Sequence, residues 1–154
     1  MSSSARSVWA TDIWRDRRYW LCVAAALVFW TALYAAAPPE LNLAWPSKHV
    51  LLFANLALLY PVAEEFVFRG ALQSVLQRYL PSPSFGPISP ANLATSLLFV
   101  ALHFLTHAPL WAAAVIIPSL AFGYFKERYG SLIPSIVLHV FYNTGYYWVF
   151  GNPG

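Results

Sequence analysis

Long apolar runs alternate with short polar stretches along the chain and divide it into five segments. A helix needs about 20 apolar residues to cross a bilayer, and each segment is close to that length or longer. The pattern predicts an all-α fold, a polytopic transmembrane bundle of about five helices. We expect these helices at residues 19–37, 48–80, 91–106, 110–125 and 131–150. Residues 19–150 would then form one transmembrane domain, preceded by a polar tail at residues 1–18.

The second segment is too long for one straight crossing. Residues 48–80 would extend about 50 Å as a continuous helix, whereas the hydrocarbon core of a bilayer is about 30 Å thick. Pro61 lies inside this segment. Because a proline ring removes a backbone N–H, we expect a kink there. The Pro/Ser-rich stretch at residues 81–90 cannot continue the helix and predicts a loop.

Two alternatives concern the number of crossings. The first apolar run follows several arginines and ends in three alanines, as a cleaved signal peptide would. That run is long for a signal peptide, and Pro38 follows the would-be cleavage site directly. Four crossings with one re-entrant or interfacial piece also fit the segment lengths.

Composition places the chain in lipid. Hydrophobic residues make up 59% of it and charged residues only 10%, compared with about 25% charged in a soluble domain. The net charge of +3 does not indicate a nucleic-acid partner, because the basic residues do not line one face. Cys22 is the only cysteine, which excludes an internal disulfide and a cysteine metal cluster.

Lysine and arginine residues collect on one side of the five-helix arrangement. Positive residues are retained on the cytoplasmic side of a membrane, so we expect a cytoplasmic N-terminus. The residues on that side are Arg6, Arg15, Arg17, Arg18, Arg78, Lys126 and Arg128. Only Lys48 lies on the other side.

Ionisable side chains at membrane depth are rare and mark functional sites or internal ion pairs. Glu65 and Arg69 lie four residues apart, so they share a helix face and can neutralise each other. Glu64 is rotated by about 100° around the same helix, so Arg69 cannot easily serve both carboxylates. A carboxylate without a partner in a low dielectric takes up a proton or finds a donor. Glu64 is therefore a candidate general base.

Two later helices contribute further polar groups. His103 lies in the third segment, and the fifth carries His139 with Asn143 four residues later on the same face. A single histidine in an apolar helix is more often a hydrogen-bonded packing residue than a catalyst. Polar groups on three separate helices weaken that interpretation, because bundles in lipid usually satisfy their polar atoms with fewer charges. His107 borders Pro109 at an expected helix end and should be interfacial.

Three motifs occur in order on successive predicted helices. They are Glu-Glu-x-x-x-Arg in "EEFVFR", Phe-x-x-x-His in "FVALH" and His-x-x-x-Asn in "HVFYN". Together they resemble the CAAX-prenyl-endopeptidase-like intramembrane glutamic proteases, also called the CPBP or Abi family. The resemblance covers residues 51–146.

The resemblance implies a metal-independent and cofactor-independent intramembrane endopeptidase. Glu64 and His103 would activate a water that attacks the peptide carbonyl. His139 and Asn143 would stabilise the oxyanion. Glu65 and Arg69 would hold the site in shape.

The resemblance also implies a substrate that is a membrane protein or a membrane-anchored peptide. Some compact relatives are sorting peptidases that cut a C-terminal anchor, and the size of this chain suits such a role. The Ala/Pro/Trp/Arg-rich composition favours a multi-pass protein of a bacterial cytoplasmic membrane over one that processes prenylated tails. The chain is short for the family, so a partner protein or an oligomer could complete the chamber.

Two other function classes fit the same residues. A metal-dependent membrane hydrolase could use His103 and His107, which are four apart, although the stretch lacks the glutamate of His-Glu-x-x-His. A non-catalytic protein, such as a bacteriocin-immunity or chaperone-like factor, could use the polar cluster to hold its helices together. A transporter is disfavoured because the chain contains no internal repeat.

Overall fold

The computed structural model describes residues 10–36, 42–80 and 86–151, which are helical almost throughout and contain no strand. A 3₁₀ turn, Ala10–Arg15, precedes the first helix. The helices are α1 (Arg17–Ala36), α2 (Trp45–Lys48), α3 (Val50–Tyr79), α4 (Pro90–His103), α5 (Pro109–Tyr129) and α6 (Ile133–Phe150). The predicted all-α membrane bundle is confirmed. Residues 1–9 of the expected tail, Ala37 and residues 81–85 of the expected loop lie outside the described residues.

Three of these helices, α1, α3 and α5, are long and apolar enough to cross a membrane. Helix α4 is apolar but has only 14 residues. Helix α6 has 18 residues and carries His139 and Asn143, and it is not among the three. The number of crossings, five or four, stays a prediction.

The contacts between α3 and α5 show that these helices run in the same direction. Arg69 contacts Ser119, and Gln73, four residues later, contacts Gly123, also four residues later. Gln77 then accepts a hydrogen bond from Lys126. Helix α4, which lies between α3 and α5 in the sequence, runs in the opposite direction to both. Just before its start Ser89 bonds Glu127, and three residues later Asn92 bonds Leu120, which comes earlier in α5.

Helix α6 runs antiparallel to α3 and parallel to α1. His139 lies beside Glu65, whereas Asn143 reaches back to Leu56. Tyr19 donates to the Pro134 carbonyl, and the Cys22 carbonyl accepts from Tyr142 further along α6. Chain direction therefore alternates from α1 through α3, α4, α5 and α6, as consecutive crossings would require.

Helix α3 is not uniformly α-helical. It contains two π-helical stretches, Asn55–Leu59 and Phe66–Gln73, which flank an α-helical piece, Tyr60–Glu65. The first stretch ends two residues before Pro61, where the sequence predicts a kink. A π turn moves hydrogen bonds to the i→i−5 register and often occurs at functional sites. The two glutamates thus lie at the junction between the α-helical piece and the second π stretch.

Aromatic side chains fill the interior between α1, α5 and α6. Tyr19 and Phe125 make an edge contact with ring centroids 5.1 Å apart, and Ile13, Phe122 and Leu138 complete the buried cluster. The Asn92 side chain of α4 packs directly on Gly123 of α5, where a Cβ would lie 2.0 Å from it. Many large apolar side chains on the outer faces of the helices are exposed, as expected for a surface covered by lipid.

Asp16 connects the start of α1 to the end of α5. Its carboxylate accepts hydrogen bonds from the Arg18 backbone (2.9 Å), Arg128 Nε (2.6 Å) and the Tyr129 hydroxyl (2.8 Å). Together with the contact between Gln77 and Lys126, these bonds bring the ends of three helices and their cationic residues to one end of the bundle. That this end faces the cytoplasm stays a prediction.

We predict that Asp16→Asn lowers the thermal unfolding temperature at neutral pH. Burial raises the pKa of Asp16, but the bonds from Tyr129, Arg18 and Arg128 outweigh it, so the pKa lies below its ordinary value. Because the pKa is lowered in the folded state, the ionised carboxylate stabilises the fold fully at pH values above its unfolded-state pKa of about 3.9. This stabilisation is lost as the pH falls through the folded-state pKa.

The measurement is thermal unfolding in detergent between neutral and acidic pH, with Arg15→Gln as a control at an exposed position. The unfolding temperatures of Asp16→Asn and wild type should differ by several degrees at pH 7 and converge in acid. A difference that does not change with pH would contradict the proposed contribution of the carboxylate.

Candidate active site

Four helices meet around the predicted site residues. Helix α3 supplies Glu64, Glu65 and Arg69, and α6 supplies His139. Helices α4 and α5 contribute Phe99, Ser119 and Phe122, which contact Arg69 or His139. The structure therefore brings together four of the six residues that the sequence predicts, and it places His103 and Asn143 at the edges of the cluster.

Glu65 and Arg69 form the predicted ion pair in the interior of the bundle. Arg69 Nη1 lies 3.0 Å from Glu65 Oε1, and both side chains are fully buried. The other guanidinium nitrogen, Nη2, donates to the Ser119 carbonyl (3.0 Å) and hydroxyl (2.7 Å) on α5. The guanidinium also lies over the ring of Phe99, 4.8 Å from its centroid. Its charge is thus held by two helices besides its own.

His139 lies between the two carboxylates. Its Nδ1 is 2.9 Å from Glu65 Oε1, and its Nε2 is 3.6 Å from Glu64 Oε2. The imidazole stacks on Phe122 with ring centroids 4.5 Å apart. A carboxylate is only an acceptor, so Nδ1 must carry the proton that it shares with Glu65. Nε2 therefore faces Glu64 either as a lone pair or as the N–H of an imidazolium.

The two glutamates differ in accessibility. The Glu65 side chain is 0% exposed and the Glu64 side chain 34% exposed. Glu65 is engaged by both Arg69 and His139, while the Glu64 carboxylate has one ionisable partner, His139, within ion-pair distance among the described residues. Glu64 is the carboxylate that a substrate or a water could reach.

His103 ends α4 and faces the site across the ring of Phe99. Its Nδ1 is 2.8 Å from the Phe99 carbonyl, so Nδ1 donates and Nε2 is the unprotonated nitrogen of the neutral ring. The Phe99 ring contacts both imidazoles, 4.4 Å from His103 and 6.1 Å from His139 between centroids. In the described chain His103 makes no hydrogen bond or ion pair with Glu64. The ring is half-buried and its Nε2 has the character of a base.

Asn143 binds a backbone carbonyl instead of a carboxylate. Its Nδ2 donates to the Leu56 carbonyl at 3.0 Å. The Tyr60 N–H bonds the Asn55 carbonyl in the π register, so the next donor in that register, at position 61, would serve Leu56. Position 61 is a proline and has no N–H. Asn143 supplies the missing donor, and one N–H of its amide remains free for another acceptor.

His103 and His107, the pair considered as metal ligands, pack against each other in the structure. Their rings stack with centroids 5.3 Å apart, and His107 Nδ1 pairs with the Thr106 hydroxyl. Over the described ranges, no group of three or more His, Cys, Asp or Glu side chains is placed to hold a metal ion.

Sequence reasoning missed Ser119. Its hydroxyl is fully buried and bonds Arg69, but serine in a helix commonly bonds a carbonyl of its own helix, so a single serine carries little signal. Gln73 was missed for a similar reason. It lies one turn after Arg69 and donates to the Gly123 carbonyl (3.1 Å), extending the contact between α3 and α5. The motif spacing describes α3 alone and does not reveal its partner helix.

A family model for Rce1-like proteins, described as type II CAAX prenyl endopeptidase Rce1-like, matches residues 45–145. The match covers about two thirds of the chain and includes all six predicted site residues. The chain belongs to the Rce1-like family. The resemblance identified from the three motifs is thereby confirmed. Neither the curated proteins nor the solved structures that were compared with the chain match it.

Family membership makes this Rce1-like chain an integral membrane protein of a CAAX-type protease family, with a membrane-associated peptide as substrate. The matched region begins at α2 and ends within α6, so the long helix α1 precedes it. The buried ion pair and His139 all lie within the matched region.

We predict that Pro61 and Asn143 are energetically coupled in this Rce1-like protein. Asn143→Ala leaves the Leu56 carbonyl without its side-chain donor, and loss of this part-buried hydrogen bond costs roughly 0.5–1.5 kcal/mol. Pro61→Ala restores a backbone N–H that can bond the same carbonyl. Asn143→Ala should therefore destabilise the Pro61→Ala background less than the wild type.

The measurement is a double-mutant cycle of unfolding free energies in detergent. Thr144→Ala, at the neighbouring position of α6, is the control and should cost the same in both backgrounds. Equal costs of Asn143→Ala in the two backgrounds would show that the amide does not replace the donor missing at position 61.

Proposed function

We propose that this protein is an intramembrane endopeptidase of the glutamic type, which hydrolyses a peptide bond of a membrane-associated protein without a metal ion. The observation that carries the proposal is the unequal pair of glutamates. Glu65 is neutralised by Arg69 and orients His139, whereas Glu64 is accessible and lies beside the same imidazole. This arrangement supports Glu64 as a base that can accept a proton. The neighbouring imidazole of His139 is fixed in place and can exchange a proton.

Glu64 accepts the proton of the attacking water in this mechanism. The oxygen of the water forms a bond to the scissile carbonyl carbon, and the proton passes to the Glu64 carboxylate. His103 assists, because its Nδ1 is engaged by the Phe99 carbonyl and its Nε2 can accept a hydrogen bond from the water. When the C–N bond breaks, the proton on Glu64 passes to the leaving amine, which restores the carboxylate.

His139 and Asn143 stabilise the oxyanion of the tetrahedral intermediate. His139 Nε2 lies 3.6 Å from Glu64 and can donate when the ring carries both protons, while Nδ1 stays bonded to Glu65. Asn143 has one N–H left after its bond to Leu56. Donors fixed in advance in a water-poor site stabilise developing charge strongly. The ion pair of Glu65 and Arg69 acts through His139 and does not touch the substrate.

The substrate in this proposal is a protein segment that enters the membrane. Glu64 and His139 lie on helices that run through the bundle, so the scissile bond must reach them inside the bilayer. Removal of a C-terminal sorting anchor in a bacterial cytoplasmic membrane is the specific role we propose.

We predict that Glu64→Gln abolishes proteolysis and leaves the fold intact. A glutamine side chain keeps a carbonyl oxygen at this partly exposed position but cannot accept the proton of the water. Loss of a general base should slow cleavage at least about 100-fold. Glu65→Gln should act differently, because it leaves the buried Arg69 charge unpaired, and breaking such a pair costs about 3–5 kcal/mol.

The measurement compares membrane proteomes of the native host expressing wild type, Glu64→Gln or Tyr60→Phe, a control at an exposed position one turn earlier on α3. Thermal unfolding of each purified protein is recorded in parallel. Cleavage products should disappear with Glu64→Gln alone, at unchanged unfolding temperature. Identical products from wild type and Glu64→Gln would mean that the polar cluster only holds the helices together.

We predict that cleavage survives exhaustive chelation. Glu64, His103 and His139 supply the proton transfers and donors of the proposed mechanism, so no step requires a bound cation. The assay uses purified protein with a cleaved substrate, dialysed against EDTA and 1,10-phenanthroline. Loss of activity on chelation, with recovery on adding Zn²⁺, would replace the glutamic mechanism with a metal-dependent one.

A further inference from the structure

A cavity of about 860 Å³ opens at the end of the bundle where the cationic residues collect. It lies between the start of α1, the end of α5 and the residues that precede α4. Arg18, Tyr124, Glu127 and Arg128 supply its polar lining, and Ile88 and Ala121 are among its apolar lining residues. None of the six candidate active-site residues lines it. Its volume is in the range of small-ligand sites, about 300–1,000 Å³.

The α1 side of the cavity presents two guanidinium groups. Arg18 donates to the Tyr124 hydroxyl and lies over its ring, 5.9 Å from the centroid. No carboxylate lies within ion-pair distance of Arg18 in the described part of the chain. Arg128 donates to Asp16 through Nε and lies over the Tyr129 ring, and among the described residues neither of its terminal nitrogens donates a side-chain hydrogen bond. A guanidinium fixed by its own neighbours is well suited to binding a phosphate oxygen.

The opposite side of the cavity presents a carboxylate with neutral partners. Glu127 Oε1 accepts from Gln73 Nε2 (2.7 Å) and from the Ser89 hydroxyl (2.6 Å). Over the described residues no lysine or arginine forms an ion pair with it. Two hydrogen bonds from neutral groups fix the carboxylate in the lining of the cavity. The partners of this carboxylate lie on α3 and directly before α4, whereas Arg128 is bonded to Asp16 directly before α1.

We propose that this cavity binds the headgroup of a zwitterionic phospholipid of the phosphoethanolamine class. Arg18 and Arg128 would bind the phosphate diester, and Glu127 would accept hydrogen bonds from the ammonium group. Both charges of the ligand then meet an opposite charge of the protein. The apolar lining and the position at the ends of α1 and α5 place the acyl chains alongside the bundle, where basic pockets of membrane proteins bind lipid headgroups.

The positions of the two arginines and of Glu127 in the cavity distinguish between classes of lipid headgroup. A purely anionic headgroup would use the arginines but would lie against the Glu127 carboxylate. A phosphocholine headgroup carries the right charges, but its methylated nitrogen has no N–H to donate to Glu127. Phosphoethanolamine satisfies both sides of the cavity.

The test measures lipid binding to the full-length protein in detergent, by native mass spectrometry and by the thermal shift that added lipid produces. The probes are phosphatidylethanolamine, phosphatidylcholine and phosphatidylglycerol with identical acyl chains, and water-soluble phosphoethanolamine and inorganic phosphate. We expect wild type to bind phosphatidylethanolamine about tenfold more tightly than phosphatidylcholine, since a hydrogen bond to a charged group accounts for a difference of that size.

Two variants separate the two sides of the cavity. Glu127→Gln keeps the acceptor for Gln73 and Ser89 but should abolish the preference for phosphatidylethanolamine over phosphatidylcholine. Arg18→Gln should weaken phosphatidylethanolamine and phosphatidylglycerol alike, and Arg18→Lys should restore much of the loss. Arg78→Gln removes an exposed cation at the same end of the bundle, outside the cavity, and should bind as wild type does.

Three outcomes would overturn the proposal. Wild type could bind the three lipids equally. Arg78→Gln could lose as much binding as Arg18→Gln, which would indicate general attraction to the surface charge. Soluble phosphoethanolamine or inorganic phosphate could give the full thermal shift, which would assign the site to a free phosphate compound instead of a lipid. Unfolding temperatures recorded without lipid distinguish each of these from a folding defect.

Discussion

The buried ion pair between Glu65 and Arg69 is the interaction on which the candidate site depends. Two charges in a fully buried position are costly unless additional partners satisfy them. Ser119 on α5 and His139 on α6 are those partners, so the pair fixes three helices relative to one another. Because His139 is oriented by Glu65, its second nitrogen necessarily faces the neighbouring Glu64. The accessible carboxylate therefore acquires its surroundings from the buried one.

A second constraint comes from the backbone of α3. Pro61 removes one donor, the chain changes to a π register just before it, and the carbonyl of Leu56 is bonded by Asn143 on α6. The same helix thus frees a carbonyl before the proline and presents two glutamates about one turn after it. Asn143 and His139, four residues apart on α6, meet these two regions of α3.

Much of this arrangement was predictable from the sequence, and the missing part has a physical cause. The pairing of Glu65 with Arg69 follows from helical spacing alone, and the helices follow from apolar runs of membrane length. Contacts between helices depend on rotation and depth, which an apolar surface in lipid does not encode. Ser119 as the partner of Arg69 and Phe99 as the ring between His103 and His139 were therefore not predictable. The π register of α3 was also missed, because a single proline predicts a disturbance of the helix but not the hydrogen-bond register that results.

Of the helices that carry the site, α3 is long and apolar enough to cross a membrane, whereas α4 and α6 are not among the three that meet both conditions. Helix α4, which ends at His103, has 14 residues, and α6, with His139 and Asn143, is not among the three helices that are apolar enough to span. Helices α1 and α5 are long and apolar and pack against α6 through Tyr19, Phe122 and Phe125. Polar residues on α6 remain in the bundle because their partners on α3 satisfy them. The same contacts thus stabilise the candidate catalytic residues and the membrane fold. They satisfy the polar groups that the bilayer would otherwise disfavour.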